Sequence, residues 1–230
     1  MNILIIGGSS DIGISLAKYL VSFGYNVVST YNNHEFKLDN VEVLKCNIRN
    51  EIDIDNIIKY VINKYGTINV LINMAAISLD NDFLSKSKKE FMNVLEVNLV
   101  GTFLCNKIYS KYIDNGVIIN MGSTDGIDTY NSYSIDYSAS KAGIINMTKS
   151  ISMATNNRVL CICPNWVDSD STNSMDKSFL SSELKRIKQD RLITKEELSN
   201  SIYKIINDKY ESGSIIRIDI RDDKLWIEKV

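Results

Sequence analysis

Proline and histidine are almost absent from this sequence. The 230 residues contain one of each, Pro164 and His34. With one proline, and without a linker, repeat or low-complexity block, nothing marks a domain boundary, and a chain of this length suits a single domain with a sizeable core. A Ser-His-Asp hydrolase would need His34 as its base. That residue stands in the polar stretch Asn32–Glu35, so a solvated loop histidine is the better interpretation.

Long apolar runs and an excess of charge are also lacking. No apolar stretch reaches the length of a membrane span, and the run Ile3–Ile6 after Met1 is too short, and lacks the basic flank, for a signal peptide. The formal net charge is −2, and hydrophobic residues make up 44% of the chain. These values predict a globular protein that binds neither nucleic acid nor membrane, and we expect it in the cytoplasm.

Cysteines are few, and they lie in apolar segments. Cys46 and Cys105 stand alone, whereas Cys161 and Cys163 alternate along one predicted strand and should face the same side. A two-ligand metal clip is one reading of that pair. Because no further cysteine and no nearby histidine completes the clip, buried structural thiols are favoured and we predict no metal site.

What the chain does contain is a regular alternation of apolar strands and amphipathic helices. The strand segments are rich in Ile and Val on both faces, as a parallel sheet covered by helices requires. The predicted strands are 2–6, 26–30, 41–44, 68–73, 117–121, 159–163 and 215–220, and the predicted helices are 14–21, 54–65, 88–113, 133–153 and 195–207. The pattern predicts an α/β fold, one doubly wound parallel sheet with helices on both faces.

A glycine-rich turn joins the first predicted strand to the first helix. In the stretch Gly7–Gly13, glycines allow a tight turn and let backbone N–H groups approach a pyrophosphate, whose charge a helix N-terminus favours. At this position the turn indicates nucleotide binding, and a plain strand-to-helix turn is the alternative. In doubly wound sheets, ligands bind beyond the carboxyl ends of the strands. The polar residues that we expect to gather at that edge are Gly7–Gly13, Asn47, Asn73, Ser123 and Pro164–Ser169.

The strongest candidate for catalysis is the stretch Tyr137–Lys141. Residues four apart share a helix face, so Lys141 can hold positive charge near the Tyr137 hydroxyl and lower its pKa. The spacing alone proves little, because Tyr60 and Lys64 repeat it in what reads as an ordinary amphipathic helix.

Seven short motifs, in order, resemble those of the short-chain dehydrogenase/reductase family over residues 1 to about 220, and in particular its 3-oxoacyl-carrier-protein reductase-like members. The matching pieces are Gly7-x3-Asp11-Ile12-Gly13, Asn47-Ile48, Asn73-Met74-Ala75-Ala76, Val97-Asn98-Leu99, Ser123, Tyr137-x3-Lys141 and Pro164–Ser169. The resemblance implies a Rossmann-like, NAD(P)-binding catalytic domain over residues 1–230, with 221–230 as an atypical C-terminal tail. It also implies a homodimer or homotetramer that pairs through the two long helices.

The resemblance further implies hydride transfer between a nicotinamide cofactor and a small carbonyl or alcohol. Tyr137 would be the general acid and base, Lys141 would lower its pKa and bind the nicotinamide ribose, and Ser123 would bind the substrate oxygen. Asn98 would hold a water that links Lys141 to solvent. The residues implied in cofactor binding are Gly7, Ser9, Ser10, Asp11, Ile12, Gly13, Tyr31, Asn47, Ile48, Asn73, Ala75, Tyr137, Lys141, Pro164, Val167 and Ser169.

Several positions depart from the family pattern. Asp11, Ala76 and Asn165 stand where glycines are usual, and the segment Arg221–Val230 replaces a glycine-rich ending. In that tail, Leu225, Trp226 and Ile227 could pack either on the core or on a partner subunit.

The choice between NAD(H) and NADP(H) and the identity of the substrate are less clearly indicated by the sequence. An acidic residue closing the second strand would favour NAD(H), but Tyr31 occupies that position, so we predict NADP(H), with His34, Glu35 and Lys37 near enough to alter the balance. The segment Asp170–Gln189 predicts a substrate loop and helix, or a helix that packs on the body, with Trp166 and Asp125 near its mouth. The acidic residues Asp114, Asp168 and Asp170 make an acyl-carrier substrate less favoured.

Two alternatives to a small-carbonyl reductase remain. One is a binding or regulatory protein that keeps the nucleotide fold without turnover, and the other is a tailoring ketoreductase whose substrate is presented by a carrier protein.

Overall fold

A computed structural model describes all of residues 1–230 as one α/β unit built on an eight-stranded sheet. The strands are β1 (Asn2–Ile6), β2 (Asn26–Tyr31), β3 (Val41–Lys45), β4 (Val70–Asn73), β5 (Val117–Met121), β6 (Arg158–Pro164), β7 (Ile215–Arg221) and β8 (Lys224–Lys229). The helices are α1 (Asp11–Ser22), α2 (Glu51–Tyr65), α3 (Lys88–Leu95), α4 (Thr102–Tyr112), α5 (Ile135–Ser152), α6 (Asp170–Asn173), α7 (Lys177–Arg186) and α8 (Lys195–Asn207). The predicted fold class is confirmed.

The strand order is β3-β2-β1-β4-β5-β6-β7-β8, and every neighbouring pair is parallel except β7 with β8. The chain reverses its direction of winding between β1 and β4, and a crevice at the carboxyl ends of the strands is expected at that point. None of the helices combines the length and the apolar content that crossing a lipid bilayer requires.

Each face of the sheet has its own core, because successive side chains of a strand point to opposite sides. Ile3 and Ile5 of β1 pack with α1 and α8, whereas Leu4 and Ile6 pack with α2 and α4. All four cysteines are buried, and the sulfurs of Cys161 and Cys163 lie 3.7 Å apart on the same side of β6, as the alternation predicted.

The helix predicted over 88–113 is interrupted. α3 and α4 are joined by a π-helical segment, Glu96–Gly101, in which the backbone makes wider turns. Apolar periodicity could not reveal this segment, because it inserts an extra residue without changing the composition of the helix.

The C-terminal region is also more regular than predicted. The segment Asp170–Gln189 forms α6 and α7, and residues 224–229 form the edge strand β8 rather than an irregular tail. Leu225 and Ile227 pack against the core of this chain, whereas Trp226 is exposed. Of the two surfaces considered for the tail, Leu225 and Ile227 therefore use the core. The turn between β7 and β8 consists of Asp222 and Asp223, both with positive φ (49° and 57°), and lacks the glycine that usually signals a hairpin.

Candidate active site

The turn between β1 and α1 packs so closely on its neighbours that only glycine fits at three positions. Gly7 has a φ of +78°, and a Cβ there would lie 2.4 Å from Ala75. A Cβ on Gly8 would lie 2.1 Å from the Ser29 hydroxyl, and one on Gly13 would lie 2.6 Å from Gly8. The turn therefore presents backbone rather than side chains to the space above it.

A side chain does stand at the position where the family has a second glycine, and it points away from that space. The Asp11 carboxylate accepts hydrogen bonds from Lys195 Nζ and from the backbone N–H of Asp170, each at 3.0 Å. These contacts tie the start of α1 to α8 and to the start of α6, so the negative charge of Asp11 is already paired within the chain.

Above the turn lies a cavity of about 520 Å³, which we call the outer cavity. Six residues predicted from the sequence line it, Gly7, Ser9, Ser10, Asn47, Ile48 and Ala75. Its far end is formed by Asn32, Asn33, His34 and Arg49. No aspartate or glutamate lines this cavity.

A second cavity, of about 340 Å³, adjoins the first and is called here the inner cavity. The predicted residues that line it are Ser10, Ile12, Ser123, Tyr137, Lys141, Pro164, Val167 and Ser169, and Asp125 and Trp166 line it as well. The two cavities share Ser10, Met74, Ala76 and Ile77. Together they form one cleft along the carboxyl edge of the sheet, where topology predicted a site.

Tyr137 and Lys141 lie one helical turn apart on α5, and the Lys141 ammonium sits 5.3 Å from the centre of the Tyr137 ring. Lys141 Nζ also donates a hydrogen bond to the carbonyl of Met121 at 2.7 Å. Burial lowers the pKa of Lys141 from its usual 10.5 to about 8, because an ammonium is poorly solvated there. The Lys141 amine is therefore a weaker base than the amine of a surface lysine.

The net pKa of Tyr137 is raised in this structure, so a lowering by Lys141 does not prevail over burial, and the effect of Lys141 on Tyr137 stays a prediction. Burial raises the pKa of Tyr137 above its usual value, the Asp125 carboxylate raises it further, and a hydrogen bond with Ser123 opposes them only in part. The phenol is thus held in its protonated form. Sequence spacing shows which groups can meet but not how much solvent each of them loses, and here the loss of solvent dominates.

Ser123 lines the inner cavity, whereas Asn98 is buried and lines neither cavity. Ser123 lies two residues beyond the end of β5, and its hydroxyl accepts a hydrogen bond from the N–H of Asp125 at 3.1 Å. Asn98, in the π-helical segment, bonds both backbone groups of Ile77 (2.8 and 2.9 Å) and donates to the Ser140 hydroxyl at 3.1 Å. Asn98 therefore clamps the strand-end loop of β4 to the helix that carries Tyr137.

Four residues predicted to bind the cofactor do not line either cavity. Gly13 is buried in α1, Asp11 is paired as described, and Tyr31 closes β2 while its neighbours Asn32 and Asn33 face the outer cavity. Asn73 is buried, and its amide donates to Asn120 Oδ1 at 2.9 Å, inside the sheet.

Sequence reasoning missed one charged residue and undervalued another. Arg49 lines the outer cavity two residues beyond the predicted pair Asn47 and Ile48, and that proximity was the available signal. Asp125 is only 8% exposed and lines the inner cavity, where it was expected only near the mouth.

Comparison with known proteins gives consistent results. The family model for short chain dehydrogenase matches residues 1–178. The chain is 29% identical to the 3-oxoacyl-[acyl-carrier-protein] reductase FabG of Staphylococcus epidermidis over 235 aligned positions, covering 94% of this chain and 96% of that one. It is 30% identical to carbonyl reductase family member 4 of Xenopus laevis, covering 94% of each. A short chain dehydrogenase of Bacillus anthracis has a similar structure, with a TM-score of 0.80 and 27% identity over 95% of this chain and 94% of that one.

Proposed function

The chain belongs to the short-chain dehydrogenase family, and from this premise we propose that it is an NADP(H)-dependent reductase that interconverts a small carbonyl compound and its alcohol. The observation that carries the proposal is the meeting of Ser123, Tyr137 and Lys141 in the inner cavity, which continues into the cavity above the glycine turn. A nucleotide-binding protein without turnover would need only the outer cavity.

The residues present fit a nicotinamide dinucleotide. The positions of Gly7 and Gly8 leave no room for a Cβ and so expose backbone N–H groups, and the start of α1 favours negative charge. Gly7, Ser9, Asn47 and Ala75 would hold the adenosine and pyrophosphate portions, and Lys141, Pro164 and Val167 would hold the nicotinamide portion. When bound, the nicotinamide supplies or accepts the hydride.

Tyr137 moves the proton in this proposal. During reduction its hydroxyl donates a proton to the substrate oxygen, and in the reverse direction it takes that proton back. The phenol is protonated at neutral pH, which is the form that reduction requires, and burial raises the pKa of Tyr137 further in the same direction. The Lys141 ammonium stabilises the negative charge left on the Tyr137 oxygen.

Ser123 orients the reacting oxygen. Its hydroxyl donates to that oxygen while it accepts the N–H of Asp125, so the direction of the hydroxyl proton is set toward the cavity. Asn98 acts at one remove, because it holds the loop at Ile77 against α5.

The preference for NADP(H) is supported by the charges at the far end of the outer cavity. A carboxylate there would bond the ribose hydroxyls and repel a 2′-phosphate, and none is present. Arg49 and His34 line that end instead, and a guanidinium suits a phosphate group well.

A carrier-bound 3-oxoacyl thioester is the second candidate substrate. It is favoured by the end-to-end similarity to a 3-oxoacyl-[acyl-carrier-protein] reductase. Turnover of acetoacetyl-coenzyme A at a rate above that of simple ketones would support this candidate over the first.

We also propose that the protein is a homodimer or homotetramer. Met92, Val100 and Phe103 lie on α3, the π-helical segment and α4, and each is about half exposed, which is unusual for a solvent-facing stretch. Light scattering coupled to size-exclusion chromatography tests this directly, and a monomeric mass at micromolar concentration contradicts it.

The experiment that tests the enzyme assignment is Tyr137→Phe. Removal of the proton donor should lower kcat for NADPH-dependent ketone reduction by at least about 100-fold, with the affinity for NADPH retained. Tyr60→Phe is a matched control, because Tyr60 and Lys64 have the same spacing on the exposed face of α2, where Tyr60 bonds Glu42 at 2.6 Å. Equal turnover in wild type and Tyr137→Phe would contradict the proposal.

A further inference from the structure

A buried carboxylate borders the inner cavity, and the proton transfer proposed above does not use it. Asp125 lies in the short turn Thr124–Gly126 that follows β5, and it is 8% exposed. Its Oδ1 accepts a hydrogen bond from the Thr129 hydroxyl at 3.0 Å. Its second oxygen, Oδ2, accepts no hydrogen bond from the chain, although it is not sealed from the cavity. Because Oδ2 opens to the cavity and has no partner within the chain, this oxygen is available to a ligand.

The turn that carries Asp125 is fixed against the helix that carries the reacting groups. A Cβ on Gly126 would lie 2.6 Å from the backbone nitrogen of Ala142 and 2.7 Å from the carbonyl carbon of Lys141. The turn therefore touches the backbone of α5 directly. Asp125 cannot shift relative to Tyr137 and Lys141 without breaking that contact.

A second set of contacts holds the turn from the opposite side. The Thr124 hydroxyl donates to Asn165 Oδ1 at 3.0 Å, and Asn165 Nδ2 donates to Asp219 Oδ1 at 2.9 Å. Asp219 in turn pairs with Arg217 at 3.0 Å. Asn165 stands where the family has a glycine, so this link from β7 to the Asp125 turn belongs to this chain's own side chains.

The charges around Asp125 leave the cavity acidic. Two carboxylate side chains and one ammonium side chain line it, Asp80, Asp125 and Lys141. Arg186 of α7 acts on Asp125 from farther away and is paired with Glu183. Burial raises the pKa of Asp125 to about 6, so the group is still mainly ionised at pH 7.5. An ionised carboxylate accepts hydrogen bonds and donates none.

We propose that Asp125 makes the enzyme selective for carbonyl substrates that carry a hydroxyl or ammonium group close to the carbonyl, and that it rejects substrates with a carboxylate in that place. The proposal rests on the reductase activity proposed above. A donor on the substrate satisfies Oδ2, a methyl group leaves it desolvated and unpaired, and a second carboxylate adds repulsion. The substrate class is therefore hydroxy- or amino-ketones and aldehydes rather than keto acids.

The test uses ketones that differ only in the substituent near the carbonyl. Hydroxyacetone is compared with butan-2-one, 4-hydroxybutan-2-one with pentan-2-one, and aminoacetone and acetoacetate serve as the cationic and anionic members. The kcat/KM of each is measured with NADPH at pH 7.5 for wild type and Asp125→Asn. Comparing the ratios between the two proteins cancels the intrinsic reactivity of each ketone.

In wild type, at least one donor-bearing ketone should exceed its methyl analogue by roughly 10- to 100-fold, the range that one hydrogen bond to a charged group supplies. Asp125→Asn should reduce that preference at least about fivefold and raise the relative rate with acetoacetate. Asp39→Asn is the control, because Asp39 is an exposed loop carboxylate that lines neither cavity, and it should leave all ratios unchanged. Turnover of these ketones with ratios that Asp125→Asn does not alter would overturn the proposal while leaving the reductase assignment intact.

A separate readout covers the case in which no ketone is turned over. That result contradicts the reductase assignment, and binding then decides the role of Asp125. Isothermal titration of the NADP⁺-loaded protein with propane-1,2-diol and with butan-2-ol compares a donor with a methyl group. Tighter binding of the diol that Asp125→Asn abolishes supports the selectivity, and equal affinity overturns it.

Discussion

Lys141 should be needed for turnover and should also lower the stability of the fold. The variant Lys141→Met should separate these two effects. In the folded chain the pKa of Lys141 is about 8 instead of 10.5, a lowering of about 2.5 that corresponds to roughly 3 kcal/mol of unfavourable burial at neutral pH. Methionine keeps much of the apolar stem but carries no charge. The carbonyl of Met121 loses its donor at 2.7 Å, which costs about 1–3 kcal/mol. We expect a net gain of about 1 kcal/mol and a Tm higher by about 2–4 °C, with turnover lost.

The pH dependence gives this prediction its sign. Because the folded pKa of Lys141 lies below the unfolded one, the unfolded chain binds more protons between pH 8 and 10.5, and stability rises with pH over that window. The destabilisation is fully present below pH 8. From pH 7 to pH 9.5 the two pKa values predict that the advantage of Lys141→Met shrinks by about 2 kcal/mol.

Urea unfolding followed by circular dichroism at pH 7 and pH 9.5 measures both quantities. Other groups that titrate in this range are common to wild type and variant, so their effects cancel in the difference. Lys64→Met is the control, since it removes a lysine that is paired with Glu42 at the surface, and it should cost at most about 1 kcal/mol. If Lys141→Met lowers the urea midpoint at pH 7 and its difference from wild type does not change with pH, the reasoning from burial is refuted.

Three further outcomes follow from the geometry. Arg49→Gln should raise KM for NADPH about tenfold and leave KM for NADH nearly unchanged, as steady-state kinetics with both cofactors will show. Asn165→Ala should lower the free energy of unfolding by about 1–3 kcal/mol in urea titrations. The reason is that the variant removes a 3% exposed amide and leaves its buried partners, Thr124 and Asp219, without these hydrogen bonds. Replacing Asp222 and Asp223 by Asn-Gly should raise the free energy of unfolding by about 1 kcal/mol, because Asn and Gly adopt positive φ angles more easily than Asp does. This gain includes the loss of the exposed ion pair between Asp223 and Arg191. An unchanged urea midpoint contradicts the prediction.

The architecture could be predicted well from the sequence, because the spacing of apolar residues within each segment already distinguishes a buried strand from an amphipathic helix. Most strands from β1 to β7 are apolar on both faces, and most of the longer helices show an apolar stripe, so their existence and order could be inferred. β8 could not, because its pattern alternates between exposed charge and apolar side chains and its turn is Asp222-Asp223 rather than a glycine pair. An edge strand of this kind is specified mainly by the neighbour it pairs with.

The candidate site was predictable in its members and less so in its electrostatics. Tyr137, Lys141 and Ser123 could be placed together from the motif order, and the structure brings them to one cavity. The contacts of Asn73 and Asp11 could not be inferred from sequence, because their partners lie far along the chain. The Asn73 amide donates to Asn120, and the Asp11 carboxylate accepts from Lys195. The direction of the Tyr137 pKa depends on burial, which no spacing of residues contains.

The π-helical segment between α3 and α4 has a consequence for how the molecule can vary. One extra residue in a helical turn rotates the residues beyond it by about 100° around the helix axis. α3 and α4 therefore direct different faces toward the rest of the protein. α3 packs against α5, and α4 packs against α2 on the same face of the sheet. Shortening Glu96–Gly101 by one residue would restore an ordinary helix, yet it would turn one half away from its neighbour and carry Asn98 off Ile77. Chain length at this spot is therefore constrained more tightly than residue identity, and homologous helices should tolerate substitution here far better than deletion.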